Sequence, residues 1–180
     1  MSANTLIAVI VAAVVVVVAL TALLWMLARR RHLRERFGPE YERTVEERGG
    51  KRSAERDLRD REERYDRLDI KELSPERRNQ YADDWAGVQQ QFVDRPDASV
   101  AEADALVTRL MSERGYPTEG YRGQLRDLSV EHGSTLEEYR AAHAVKVRSR
   151  AGEATTEELR GAMVHYRALF DELLSDRRSR

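Results

Sequence analysis

Four histidines, His32, His132, His143 and His165, are the residues of this chain best suited to acid–base work or metal binding. Metal centres inside helical bundles place a Glu three residues ahead of a His. Here Ser129, Arg140 and Ala162 hold those positions ahead of the last three, and neither His-x-x-x-His nor His-Glu-x-x-His occurs. No metal or cofactor is expected. The chain has no cysteine, which excludes thiolate nucleophiles, disulfides and zinc–thiolate sites. It also has no phosphate loop, dinucleotide glycine fingerprint or Gly-x-Ser-x-Gly elbow, so no catalytic residue is assigned and no enzyme is expected. The residues a site between helices would draw on are Trp85, His143, His165 and Tyr166. His143 falls on an apolar helix face and His165 directly precedes the apolar-stripe residue Tyr166. The simpler reading of each histidine is a hydrogen-bonded core or boundary residue. Asp83 and Asp84, beside Trp85, read as a solvated face, and Asn79, Gln80 and Gln89–Gln91 form a polar patch suited to a peptide or partner helix.

The elements that would position these residues are helices. Ser74-Pro75 reads as an N-cap followed by proline in the first turn, and Tyr81, Trp85, Val88 and Phe92 share a face up to Asp94-Arg95-Pro96. Asp97 or Ser99 is expected to cap the next helix, whose inner stripe is Val100, Ala103, Val107, Leu110 and Met111. That helix stops at Gly115, with Pro117 just beyond. A short helix follows around Tyr121, Leu125 and Leu128, and His132-Gly133 breaks it. Ser134-x-x-Glu137 and Thr155-x-x-Glu158 match capping boxes. They open helices striped by Leu136, Tyr139, His143 and Val147, and by Leu159, Met163, Tyr166, Phe170 and Leu173. Four principal helices and one short one, with short loops, predict a small antiparallel bundle over 74–174, followed by a polar tail, 175–180.

Upstream the pattern changes. Leu6–Ala28 carries no charge, and at about 1.5 Å per residue it reaches roughly 35 Å, enough for a hydrocarbon core of about 30 Å. A cleaved signal peptide has a basic start, a shorter apolar core and a small-residue cleavage site; residues 1–5 are uncharged and the span runs straight into Arg29, Arg30 and Arg31. A transmembrane helix over 6–28 is therefore expected. Arginines on one side only place residues 1–5 outside and the C-terminal domain in the cytoplasm of a cell membrane. Trp25 suits the inner headgroup boundary, and the arginines also attract anionic lipid.

Between anchor and bundle, 29–73 reads as a basic juxtamembrane segment and a charged helical spacer. Phe37-Gly38-Pro39 stops and restarts a helix, and Gly49-Gly50 is a joint. From Lys51 to Leu68 acid precedes base by four residues at Glu55/Arg59, Asp57/Arg61, Asp60/Arg64 and Glu63/Arg67. Ala54, Leu58, Tyr65 and Leu68 make a thin apolar stripe; a lone helix fits it better than a coiled coil, because Arg61 stands where a heptad needs a hydrophobe.

Several runs carry a resemblance: Arg34-Glu35-Arg36-Phe37-Gly38-Pro39-Glu40-Tyr41, Leu73-Ser74-Pro75-Glu76, Arg114-Gly115-Tyr116-Pro117 and Ala162-Met163-Val164-His165-Tyr166-Arg167. They are similar to a family of uncharacterised single-pass membrane proteins from high-GC Gram-positive bacteria. The resemblance implies the architecture and no activity, cofactor or catalytic residue. With the +3 of Arg29–Arg31 set aside, the overall charge of −1 leaves −4 for the rest, which argues against nucleic acid as a partner. The expected partners are the lipid bilayer and a protein, either another chain or a second copy. The expected function is a membrane-anchored interaction or adaptor module; the alternative is a small-molecule-binding domain or an enzyme with its site between the bundle helices.

Overall fold

A computed structural model describes residues 3–175, with side chains from residue 11 onward. The expected tail beyond 175, residues 1–2 of the short N-terminal segment and the side chains of residues 6–10 of the expected span lie outside the described residues. Among the described residues there are eight helices and no strand. They are α1 (Ala3–Phe37), α2 (Pro39–Arg48), α3 (Lys51–Tyr65), α4 (Pro75–Gln91), α5 (Pro96–Glu113), α6 (Tyr121–Leu128), α7 (Leu136–Arg150) and α8 (Thr156–Ser175).

α1 contains one stretch long and apolar enough to cross a membrane, and its described large apolar side chains from Val11 to Leu27 are exposed. Its one hydroxyl there is satisfied within the helix, where Thr21 Oγ1 donates to Val17 O at 3.0 Å and Val18 O at 2.9 Å. That is the arrangement a solvent without acceptors demands. The helix runs on unbroken past Arg31, and Leu33 and Phe37 on its last turns are fully buried.

Gly38, at φ +52°, ends α1, and Pro39 opens α2. α2 runs back along α1, turns at Gly49-Gly50, and α3 then descends parallel to the end of α1. The register of α3 is fixed by Arg30–Glu55 at 2.9 Å near one end and Arg36–Glu62 at 2.8 Å further along. α3 is the charged helix the sequence predicts, ending at Tyr65; of its thin stripe Ala54, Leu58 and Tyr65 are buried against α1, α2 and the loop beyond α5, and Leu68 lies past its end, half-buried. Of its four expected i,i+4 pairs, Asp57–Arg61 is made, at 2.7 Å. Glu55 and Arg64 instead reach Arg30 of α1 and Asp127 of α6.

The bundle is the expected one. α5 and α8 run in the same direction through its centre, and α4 and α7 oppose both. The stripes of α4, α5 and α8 are buried as the periodicity predicts, with Phe92 half-buried at the end of α4. On α7 the stripe thins: Leu136 and Tyr139 are buried, His143 is half-buried, and Val147 is 54% exposed. Two expected caps move. Arg95 rather than Asp97 or Ser99 stands at the N-cap of α5, because Pro96 already occupies the first helical turn. Thr135 rather than Ser134 stands at the N-cap of α7, without a side-chain cap, since its Oγ1 donates back to His132 O at 3.3 Å. The second box forms: Glu158 accepts from Thr155 N at 2.8 Å, and Glu158 N donates to Thr155 Oγ1 at 3.3 Å.

The buried apolar side chains form one cluster running from Leu33 to Leu173, so the end of α1, α2 and α3 share a core with the bundle. Two glycines permit the closest backbone approaches. A methyl on Gly115, at φ +93°, would overlap the carbonyl of Asp69; one on Gly133 would overlap the carbonyl of Phe37 at the end of α1.

Candidate functional site

Of the four residues singled out in the sequence, Tyr166 and His143 converge on a third, Asp104. Asp104 lies on α5 and is 9% exposed. Tyr166 Oη donates to its Oδ1 at 2.8 Å, Lys146 Nζ bonds its Oδ2, and His143 Nδ1 stands 3.6 Å from Oδ1. Tyr139, His143 and Lys146 recur at four and three residues on α7, which turns all three to this side of the helix. The His143 ring stacks on Tyr121 with centroids 3.7 Å apart and planes at 8°. Tyr139 Oη donates to Gln124 Oε1 at 2.8 Å, and its ring meets Tyr166 edge-on at 6.1 Å. Three helices thus meet at one buried carboxylate, and α6 joins them through Tyr121 and Gln124.

Electrostatics fixes the protonation of the carboxyl and of the phenols around it. Burial alone would raise the Asp104 pKa, but the hydrogen bonds from Lys146 and Tyr166, with the His143 ring beside them, outweigh it and hold the carboxyl down at about 2. Burial, then the Asp104 charge, pushes the Tyr166 and Tyr139 hydroxyls well above the usual phenol range. The arrangement is an anion held by two donors, Lys146 and Tyr166, with the His143 ring 3.6 Å away and protonated phenols around it. A carboxylate so fully engaged acts as a tie between helices.

Trp85 and His165 stand apart from it. Trp85 is fully buried and stacks on Phe170 at 4.7 Å and 28°, with the Arg167 guanidinium 5.5 Å from its ring on α8. Its Nε1 has no acceptor. His165 is half-buried and makes none of these contacts. Asp83, Asp84, Asn79, Gln80, Gln89 and Gln90 are exposed, as a solvated face requires.

The histidine the periodicity treats as a helix breaker is the most buried. His132 is 1% exposed; its Nδ1 lies 2.8 Å from Glu172 Oε1 and its Nε2 3.0 Å from Tyr116 Oη. Its partners lie on other elements, so no local spacing signals them. Glu40 is the second such residue. At 3% exposure it accepts from Arg61 Nη1 at 3.1 Å and from Arg140 Nη2 at 2.8 and 2.9 Å, joining α2, α3 and α7. Among the described residues no group of three His, Asp or Glu side chains is placed to hold a metal ion.

At the end of the apolar span, the Arg29 guanidinium lies over the Trp25 ring at 5.0 Å, Arg30 meets Glu55, and Arg31 pairs with Glu35 at 2.7 Å. Three surface recesses are relevant to the arrangement of charge and apolar surface. A cleft of about 820 Å³ between α2, α3, α6 and α7 is lined by Arg43, Arg61, Arg122, Arg126 and Arg140 with Tyr121, but Glu40, Glu47 and Asp57 neutralise much of it. A groove of about 260 Å³ between the end of α4 and α8 is lined by Phe92, Met163 and Val164, rimmed by Gln89, Arg160 and Arg167. A third, of about 280 Å³, lies between α1 and α3 at the level of Trp25. Asp104, His143, Lys146 and Tyr166 line none of the three. Compared with protein-family models, curated proteins and solved structures, the chain matches none.

Proposed function

We propose that this chain is a single-pass membrane protein, its N-terminus outside and its helical domain in the cytoplasm, and that the domain recruits a protein partner through the groove between α4 and α8. The groove is the observation that carries this reading. Around it Val93 is 84% and Val164 65% exposed, while Phe92 and Met163 form an apolar floor. Apolar side chains left at the surface beside a recess of this kind fit the face of an amphipathic helix. The rim of Arg160 and Arg167 favours a partner helix flanked by acidic residues. The anchored orientation draws its support from the exposed apolar length of α1 and the arginines on one side of it.

A ligand or substrate site built from Trp85, His143, His165 and Tyr166 would need a cavity shared by all four. The geometry divides them between separate contacts, so the interaction reading is the one carried forward. The test is a photo-crosslinking residue placed at Val164 in native membranes. Adducts to one partner protein, or to a second copy, are expected, and Val164→Glu in the unlabelled chain should suppress that partner's recovery at least tenfold. No adduct at Val164 removes the basis of this reading. Digestion of the domain by external protease on sealed cells would reverse the orientation.

A further inference from the structure

The positive-inside rule accounts for Arg29–Arg31. It does not account for what α3 does. Because α2 doubles back and Gly49-Gly50 turns the chain, the start of α3 returns to the level of Trp25, and Arg52, Arg56 and Arg59 come to line the same cleft as Trp25, Met26 and Arg29. The return is built, since Ala54 and Leu58 on the adjacent face of α3 are fully buried.

The charge balance inside the cleft is one-sided. Its one acid, Glu55, already faces Arg30 Nε at 2.9 Å and accepts from Tyr41 Oη at 3.1 Å. The Arg30 Nε–H is buried and poorly aligned to Glu55, which leaves it without a hydrogen-bond partner. Arg59 uses Nε on the Glu55 carbonyl, at 3.0 Å, and keeps its two terminal nitrogens. Among the described residues no acid pairs with Arg29, Arg52 or Arg56, although Arg36, Arg61 and Arg64, the next arginines along this layer, are all paired.

We infer that this cleft between α1 and α3 is a binding site for the headgroup of an anionic phospholipid. Guanidinium forks match phosphate oxygens in pairs. Met26 and Trp25 provide an apolar wall, along the side of the span where acyl chains would run, and an aromatic ring of Trp type belongs at headgroup depth. A volume of about 280 Å³ admits a phosphodiester with a small polar head. Phosphatidylglycerol-type lipids fit; a zwitterionic lipid would bring a second cation into a cleft that already has an excess of them.

The inference rests on α1 being a membrane anchor, and the experiment separates the two. The full chain is reconstituted into nanodiscs of phosphatidylcholine with and without phosphatidylglycerol, then released and its retained lipids counted by native mass spectrometry. Retained phosphatidylglycerol is expected, with a loss of affinity of about fivefold for each charge removed and about 25-fold for R52Q/R56Q. R52K/R56K should recover part of it, and R122Q/R126Q, which removes the same charge from α6, should leave it unchanged. Equal retention of both lipids, equal loss in the two Gln pairs, or full competition by glycerol phosphate in solution overturns the site while the chain remains inserted. A chain that fails to enter nanodiscs overturns the anchor and the site together.

Discussion

Asp104 shows how much of this protein hangs on single buried charges. Its carboxyl faces His143 and Lys146 of α7 and Tyr166 of α8, and its folded pKa of about 2 lies below the unfolded value of 3.8. A depressed carboxylate pKa adds stability that is complete above the unfolded value and disappears as pH falls through the folded one. Between pH 4 and 2 this residue should therefore cost the fold about 1–2 kcal/mol. Asp104→Asn should be less stable at pH 7 and should lose less on acidification, as read from urea denaturation at pH 7, 4 and 2.5. Glu40 is the parallel case among the helices packed on the end of α1. Glu40→Gln leaves the half-buried Arg61 and Arg140 without their shared anion, and should destabilise by about 2–3 kcal/mol. The exposed control Glu47→Gln, which breaks only a pair with Arg43, should cost less than about 1 kcal/mol by the same measurement.

At the scale of an element, α3 is the informative one. Its composition describes a helix able to stand alone in water, and its acids and bases are spaced to support one. In the fold those charges turn outward from the helix to its neighbours: Glu55 to α1, Glu62 to His32 and Arg36, Arg64 to Asp127, and Arg61 to Glu40. Three apolar residues suffice to seat it because charged side chains surround the contact and hold the register. The helix is thereby tied parallel to the end of α1, which brings its first arginines to the level of Trp25. α7 shows the reverse: its outer turn is polar and weakly seated, yet Tyr139 and His143 carry the aromatic contacts to α6 and α8.

For the molecule as a whole, the unbroken passage of α1 into the core has a direct consequence. Leu33 and Phe37 are 1% and 0% exposed, and the carbonyl of Phe37 lies against Gly133 in the loop before α7. Movement of α1 is thus transmitted to the bundle without an intervening hinge. A fragment covering 29–180 should fold as a stable helical domain. One covering 39–180 should lose about 3–6 kcal/mol, the burial of one Leu and one Phe, and should show a lower Tm and exposed apolar surface by dye binding.

The all-α class, the apolar span, the bundle stripes from Tyr81 to Leu173 and the Thr155–Glu158 cap were legible in the sequence, because helical periodicity, uninterrupted hydrophobicity and capping are local properties of neighbouring residues. The pairing of His143 with Asp104, the bridges of His132 and Glu40, and the return of Arg52 and Arg56 to Trp25 were not legible. Each joins residues far apart in the chain, and which of many similar charges meet is set by how the helices stack. Spacing along the sequence decided which helices exist; only their packing decided which charges are buried, which are paired, and which are left facing a cleft.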